Sequence, residues 1–375
     1  MIQYFEIAAA LLIIFYAVLM LVPAFAFYFA PEKEELRISD SLFISVVVPV
    51  RNEAENIRVC LESLLAQEYP VTQFEIILVD DHSTDRTLSI VKELNNGHSH
   101  LRILENAIGE EGKKNAITAA VKVARGEVIA TTDGDCLVPR TWLRAISNAF
   151  SDEKKIFAAG PVVYQEKKSF FRHFLQAEQL SLQMISAGAI QLEVPLMCSG
   201  ANMAYRKSFF NETGGYENDS YASGDDMLLL QKAANFNRKE ISFLPVKDSL
   251  IITHAAGTPR DAIRQRGRWL SKFRAYRSPL VLGYGLVVAV VNLFLLVSLL
   301  AAVINPAAFG LFLFLLAGKT AIDLLLLSLA VTIFHEPFLL LLVPAGEIIY
   351  PLLALSASVG GLSGTYFWKD RLVKK

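Results

Sequence analysis

The 375-residue chain is 53% hydrophobic and 19% charged, with a mean hydropathy of +0.38, too apolar an average for an ordinary soluble protein of this size. Its formal net charge of −1 excludes the basic surface that generic nucleic-acid binding needs. Composition also excludes disorder and collagen, and Cys60, Cys136 and Cys198, far apart and without a CxxC, exclude a disulfide scaffold or zinc knuckle and fit a reducing compartment.

The average conceals a partition. Residues 31–279 hold 63 of the 73 charged side chains, whereas residues 1–30 hold only Glu6 and residues 280–368 only Lys319, Asp323, Glu336 and Glu347. From Ile7 to Ala30 the chain runs 24 residues without a charge, enough at about 1.5 Å per residue to cross a hydrocarbon core about 30 Å thick. Met1–Glu6 contains no Lys or Arg, which favours a retained anchor over a cleaved signal peptide.

Ile44–Val50 (ISVVVPV) then reads as a strand, and Asn52-Glu53-Ala54-Glu55 as a capped helix start. The alternation continues with a strand at Phe74–Val79, a helix at Thr84–Leu94, a strand at Leu101–Leu104, a helix at Lys113–Ala124, a strand at Glu127–Thr131 and a helix at Arg140–Phe150. Repeated βα units predict an α/β fold with a mostly parallel, doubly wound sheet. Beyond it, Phe170–Ile190 reads as a long apolar-rich helix, on a membrane surface or in a core, and Asp226–Ala234 as another helix. Three apolar stretches follow, at about 280–304, 307–334 and 338–362. In the second, Lys319 and Asp323 stand four apart on one helical face, where pairing lowers the cost of charge at bilayer depth; in the third, Pro344, Glu347 and Pro351 argue against a plain span. The expected organisation is an N-terminal anchor and linker (1–43), a catalytic domain (44–279), and a C-terminal membrane region (280–375) with two to three spans and a short basic tail.

In such sheets ligands bind beyond the carboxyl ends of the strands, and three of those ends are polar: Pro49-Val50-Arg51-Asn52-Glu53, Asp80-Asp81-His82-Ser83-Thr84-Asp85 and Asp133-Gly134-Asp135. One acidic strand end is ordinarily a helix cap; two at the ends of one sheet ask for a ligand. Carboxylates there can hold a divalent cation whose other oxygens come from phosphates, or accept hydrogen bonds from a ribose or base. No GxxxxGK[ST] and no GxGxxG after a strand is present, so an ATPase or dinucleotide reading lacks its fingerprint.

These residues bring out a family resemblance. Over about residues 44–272 the chain resembles a family 2 glycosyltransferase of the GT-A fold, nearer the membrane-embedded polysaccharide synthases than the small soluble members. The resemblance rests on Val48-Pro49-Val50-Arg51-Asn52-Glu53, Asp80 to Thr87, Gly112-Lys113-Lys114-Asn115-Ala116, Asp133-Gly134-Asp135, Gly224-Asp225-Asp226 and Gln265-Arg266-Gly267-Arg268-Trp269, in family order. It implies a nucleotide-sugar donor, UDP-linked by family default. Donor-binding residues would be Pro49, Arg51, Asn52, Glu53, Asp80, Asp81, Lys113, Lys114, Asp133 and Asp135, with Gln265, Arg268 and Trp269 of the QxxRW signature. Asp135 and Asp133 would hold Mg²⁺ or Mn²⁺, and Asp226, beside Asp225, would be the general base of an inverting transfer. Gly257, ahead of Thr258-Pro259, stands where synthases often carry an acid, and the apolar helices are fewer, so processive synthesis is not implied.

The basic run Arg260, Arg264, Arg266, Arg268, Lys272, Arg274 and Arg277 places the middle domain on the cytoplasmic side of a plasma membrane. Three tail crossings would then leave the basic C-terminus outside, so one of the three reads as re-entrant or interfacial. The expected acceptor is a lipid-linked saccharide or growing surface glycan; the alternatives are transfer to a polyprenyl phosphate, or a noncatalytic membrane partner of the same fold. Nucleic acid is not an expected partner, and oligomeric state is not legible.

Overall fold

The computed structural model describes residues 2–31, 42–107, 111–165, 169–217, 224–271, 276, 278–362, 365–368 and 371–374. In chain order the elements are α1 (Ile2–Tyr28), β1 (Ile44–Val50), α2 (Ile57–Leu65), β2 (Phe74–Asp80), α3 (Thr87–Leu94), β3 (Leu101–Glu105), α4 (Lys113–Val123), β4 (Val128–Thr131) and α5 (Trp142–Ala149). There follow β5 (Phe157–Ala159), β6 (Val162–Tyr164), α6 (Phe170–Gln191), β7 (Met203–Arg206), α7 (Lys207–Glu212), α8 (Asp225–Asn237), β8 (Ile241–Phe243), α9 (Val246–Ser249) and β9 (Ile251–Thr253). The chain ends with α10 (Pro259–Ser271), α11 (Pro279–Ile304), α12 (Phe309–Phe334), α13 (Val343–Leu362), β10 (Thr365–Trp368) and β11 (Arg371–Lys374), the last two paired with each other. Lys272, Arg274 and Arg277 of the basic run lie outside the described residues.

Two compact units emerge: an α/β unit of residues 31–165, 193–254 and 367–375, and a helical unit of residues 1–30, 166–192 and 255–366. The helices α6 and α10, which lie within 44–279 in sequence, cluster with the apolar helices.

The α/β unit is built on a seven-stranded sheet of order β3-β2-β1-β4-β7-β5-β8, with β6 and β9 paired beside it. All pairs are parallel except those of β7 with β4 and β5. Every residue of β1 and β2 is buried, as expected for apolar, β-branched strands covered on both faces. Ile44, Val46, Val48, Ile76, Leu78, Leu61, Leu64 and Trp142 form its core. Trp142 Nε1 donates to Asn202 Oδ1 at 2.9 Å, while Asn202 Nδ2 donates to Pro161 O and Ser249 O, so this buried amide meets its polar needs inside the core. A second buried polar tie holds β2, where Glu75 accepts from Ser45 Oγ, Arg102, the Arg125 amide and the Arg125 guanidinium.

Sheet order also fixes where a ligand can go. Strands β2 and β3 add to one side of β1 and β4 adds to the other, which makes the gap between β1 and β4 the topological switch point. Pairing of β1 with β4 stops at Val47, whereas pairing with β2 runs on to Val50, so the two ends part there. Pro49 lies past the last β1–β4 pair, where a missing N–H breaks no ladder on that side.

In the helical unit, among the described residues, four helices are long and apolar enough to cross a membrane: Phe5–Tyr28, Pro279–Ile304, Pro306–Phe334 and Pro337–Ala357. Helix α6 packs on α1 and α12 with half its length buried, and a Cβ on Gly188 would collide with the Pro23 backbone, so glycine sets the α1–α6 approach. At the centre of the bundle Lys319 Nζ donates to Asp323 Oδ2 at 2.7 Å and to Glu347 Oε2 at 2.6 Å, and Tyr16 OH donates to Asp323 Oδ1 at 2.7 Å. The i,i+4 pairing expected within α12 is present, and Glu347, which weakened the third stretch in sequence, is the partner that joins α13 to it.

One local expectation is corrected. Asn52-Glu53-Ala54-Glu55 does not cap a helix: α2 begins at Ile57 with Asn56 as its N-cap, and Asn52 sits in left-handed backbone (φ 51°). Its side chain is taken by another job, because Asn52 Oδ1 accepts from the Thr84 amide at 2.8 Å.

Candidate active site

The ends of β1 and β2 are sewn together by their own polar residues. The Ser83 hydroxyl accepts from the Asn52 amide at 3.0 Å, Thr87 Oγ1 accepts from the Glu53 amide at 2.8 Å, and Asp85 Oδ2 accepts from the Ala54 amide at 3.0 Å. Arg51 donates to the carbonyls of Asp81 and His82 at 2.6 and 3.1 Å, and Glu53 Oε2 accepts from Asn56 Nδ2 at 3.0 Å. Asp85 lies below the usual carboxylate range: burial pushes it up, but bonds from the Thr87 hydroxyl and amide and the Ala54 amide together outweigh that. Arg51, Asn52 and Glu53 therefore shape the end of β1, with much of their polar capacity spent on backbone.

Asp80 and Asp81 differ. Asp81 is fully buried, and its Oδ1 accepts from Asn106 Nδ2 and the Gly112 amide, both at 3.0 Å, tying down the start of α4. Asp80 Oδ2 accepts from the Ser83 amide at 3.1 Å, while its buried Oδ1 has no partner among the described residues. An unpaired buried carboxylate oxygen is costly, and a base or ribose donor would relieve it.

The turn after β4 carries Asp133 and Asp135 on either side of Gly134. A Cβ at Gly134 would stand 2.8 Å from Val50 Cγ1 and 3.3 Å from Glu53 Cγ, so only glycine lets this turn press against the end of β1. Asp135 Oδ2 accepts from Thr253 Oγ1 at 3.3 Å, a contact delivered by the parallel pairing of β6 with β9 and the bridge from Leu137 to Ile252. Asp133 Oδ1 lies 2.8 Å from Lys113 Nζ, and the same ammonium lies 3.0 Å from Asp225 Oδ2. Burial pulls the Lys113 ammonium down, but Asp133, Asp225 and Asp226 outweigh it and hold its pKa well above the ordinary lysine value. Lys114, by contrast, points to the Tyr216 ring at 6.0 Å.

Asp225 and Asp226 open α8 behind Gly224, whose φ of 94° suits glycine. Asp225 is buried against Lys113; Asp226 is half-buried, and its Oδ1 accepts from the Met227 amide at 2.7 Å. Burial, then the charges of Asp226 and Asp225, raise the Cys198 thiol well above its ordinary value. The structure thus draws together Lys113, Asp133 and Asp225, with Asp226 adjoining, and places Asp80, Asp81 and Asp135 on the same strand-end rim. Gly200, Thr253 and Asn106 support this group and were not singled out from sequence; Thr253, a polar residue ending a strand, carried the one readable signal.

Gln265, Arg268 and Trp269 share a face of α10, in the helical unit, whereas the carboxylates lie in the α/β unit. Thr258 caps α10 through Asp261, its Oγ1 donating to Asp261 Oδ2 at 2.7 Å and accepting from the Asp261 amide at 3.2 Å. Arg266, inside the motif, is buried in an ion pair with Glu178 of α6, its guanidinium 5.6 Å from the Trp269 ring.

Asp133 and Asp135 fit a hard divalent cation by chemistry: two carboxylates one residue apart, one already facing a cation. Among the described residues no group of three or more His, Cys, Asp or Glu gathers to hold a metal, but Mg²⁺ or Mn²⁺ bound through one or two carboxylates completes its shell with phosphate oxygens and water.

A mostly parallel sheet with an acidic turn at its switch point and a second acidic helix start is a GT-A type of fold. Mannosyltransferase PcManGT from Pyrobaculum calidifontis, solved with GDP-Man and Mn²⁺, shares that fold with a TM-score of 0.63 at 20% identity, over 97% of this chain and 99% of that one. Residues 45–214 match Glycosyl transferase family 2, and this segment is a family 2 glycosyltransferase domain. Among curated relatives, glycosyltransferase AglE of Haloferax volcanii is 26% identical over 191 residues, 49% of this chain and 59% of the relative. A beta-monoglucosyldiacylglycerol synthase of Nostoc sp. is 33% identical over 126 residues, 33% of this chain and 27% of the relative. The chain thus spans less than two thirds of the length of either.

Proposed function

We propose that the protein is a membrane-bound, inverting glycosyltransferase that moves a sugar from a nucleotide-diphosphate donor, a UDP-sugar by family default, to a lipid-linked saccharide or growing surface glycan. Its catalytic domain is assigned to residues 44–279, on the cytoplasmic side of the plasma membrane, between an anchor at 1–43 and a membrane region at 280–375. The observation that carries the reading is the meeting of Asp133 and Asp225 at Lys113 beside the switch point, which joins a donor-side turn to an acceptor-side helix start. The name of the Nostoc relative, a lipid glycoside synthase, supports a lipid acceptor, as do four apolar helices.

In this reading Asp80 accepts hydrogen bonds from the nucleoside through its unpaired Oδ1. Asp133 and Asp135 would hold Mg²⁺ or Mn²⁺, which supplies charge neutralisation at the diphosphate leaving group. Asp226 takes the proton from the acceptor hydroxyl as that oxygen attacks the anomeric carbon, and direct displacement inverts the centre. Lys113 offers a fixed positive charge to the departing diphosphate, and Gln265, Arg268 and Trp269 are assigned to the donor or the incoming chain. The test is a donor and acceptor screen of the full chain in liposomes, with the product's anomeric configuration read by NMR. Inverted product on a lipid-linked acceptor supports the reading; transfer to polyprenyl phosphate alone moves the acceptor assignment, and a retained anomer removes the Asp226 mechanism.

A further inference from the structure

Lys113 Nζ is not aimed at open solvent. It is held between Asp133 Oδ1 at 2.8 Å and Asp225 Oδ2 at 3.0 Å, its side chain only 17% exposed. The position is built rather than incidental. A Cβ on Gly200 would lie 2.8 Å from Asp225 Oδ2 and 3.0 Å from Lys113 Nζ, so a glycine at this place makes room for the pair, and Thr131 Oγ1 holds the Gly200 carbonyl at 3.2 Å. On the opposite side the Gly112 amide is pinned by Asp81, which fixes the first turn of the helix that carries Lys113.

Asp133 is one of the two carboxylates assigned above to a divalent cation, so the oxygen facing the ammonium is also an oxygen that a metal would seek. A monovalent and a divalent cation sharing one carboxylate repel strongly at such range, and only added negative charge lets both stay. A nucleoside diphosphate brings that charge.

We infer that Lys113 is an internal counter-cation that occupies the Asp133 side of the metal position in the donor-free protein, so that metal and nucleotide diphosphate bind well only together. The inference rests on the metal-dependent reading above and adds what makes metal binding conditional on donor. By linkage, the factor by which nucleotide tightens metal equals the factor by which metal tightens nucleotide. Removing the ammonium should raise the affinity for metal alone and shrink that shared factor.

The experiment titrates Mn²⁺ alone, then Mn²⁺ with UDP or GDP, into the full chain in detergent, following free Mn²⁺ by electron paramagnetic resonance. Wild type, Lys113→Met, Lys113→Gln and Lys113→Arg are compared. The expected result is donor-free Mn²⁺ binding tightened by at least ~10-fold in the neutral variants, with a smaller gain on adding nucleotide, and wild-type behaviour in Lys113→Arg. Lys113→Gln keeps a hydrogen-bonding group and serves if Lys113→Met does not fold. Unchanged donor-free affinity in a folded neutral variant, with Mn²⁺–nucleotide binding intact, overturns the inference and leaves the function standing. Absence of Mn²⁺ binding in every protein, nucleotide present, overturns both.

Discussion

Gly134→Ala puts the geometry of the acidic turn under direct strain. The new methyl would stand 2.8 Å from Val50 Cγ1, 3.3 Å from Glu53 Cγ and 3.6 Å from Ile57 Cδ1. The first distance is too short to persist, and Val50, 3% exposed at the end of β1, is stiff at χ1 and has little room to turn aside. Overpacking of this kind costs about 1–3 kcal/mol, and most of the relief must come from the turn itself moving away from β1. That movement carries Asp133 and Asp135 with it, and misplacement by about 1 Å at a reacting centre can cost about 10²-fold. The expected result is therefore a folded protein with a modestly lowered melting point, weakened metal-dependent nucleotide binding and turnover down by about 10²-fold. Val50→Ala removes the clashing methyl, so the double variant should recover much of the nucleotide affinity that Gly134→Ala loses. Calorimetry of nucleotide binding across the four proteins measures the coupling. Wild-type affinity in Gly134→Ala, or strict additivity in the double variant, would refute the argument.

Other substitutions test separate parts of the account. Asp226→Asn should lower transfer by about 10²–10⁴-fold with donor binding retained, and Asp225→Asn should lower it less; steady-state turnover beside nucleotide titration decides, and the reverse order moves the base by one residue. Lys319→Met should destabilise the helical unit by about 3–5 kcal/mol, because Asp323 and Glu347 would lose their shared cation inside an apolar bundle, an effect read as earlier thermal unfolding in detergent. Glu75→Gln should destabilise the α/β unit by about 1–3 kcal/mol at neutral pH. Burial pushes the Glu75 carboxyl up, but the Arg125 amide, Ser45, Arg102 and the Arg125 charge hold it below its usual range. Its stabilising effect is therefore full above the unfolded-state pKa and fades as pH falls through the lower folded value, so the wild-type advantage in a melting series should vanish in acid.

How far these features could be read beforehand follows from the range of the interactions. The strands Ile44–Val50 and Phe74–Val79, the latter one residue longer in the structure, were legible because burial on both faces leaves continuous apolar runs, and the Lys319–Asp323 pair because i,i+4 spacing is local. Glu347 was misleading alone: as a charge in an apolar stretch it argues against a span, and only its contact with Lys319, 28 residues away, explains it. Asn52 resembled a helix cap because its type and spacing suit one, but Thr84, on the neighbouring strand end, claims its side chain. Sequence could not choose between Lys113 and Lys114, adjacent on one helix; the packing does, sending one to Asp133 and Asp225 and the other toward Tyr216. For α6 the sequence leaves a membrane-surface and a core placement both open, and its grouping with α10 and the apolar helices depends on Gly188 meeting Pro23 and Arg266 meeting Glu178.

The claim on which the rest depends is that the turn Asp133-Gly134-Asp135 holds a nucleotide diphosphate through a divalent cation. Calorimetric titration of UDP and GDP into the full chain, with Mn²⁺ and with chelator, for wild type and Asp135→Ala, tests it most directly. The account predicts nucleotide binding that needs Mn²⁺ in wild type and is lost in a folded Asp135→Ala protein. Undiminished Mn²⁺-dependent nucleotide affinity in that folded variant would contradict it.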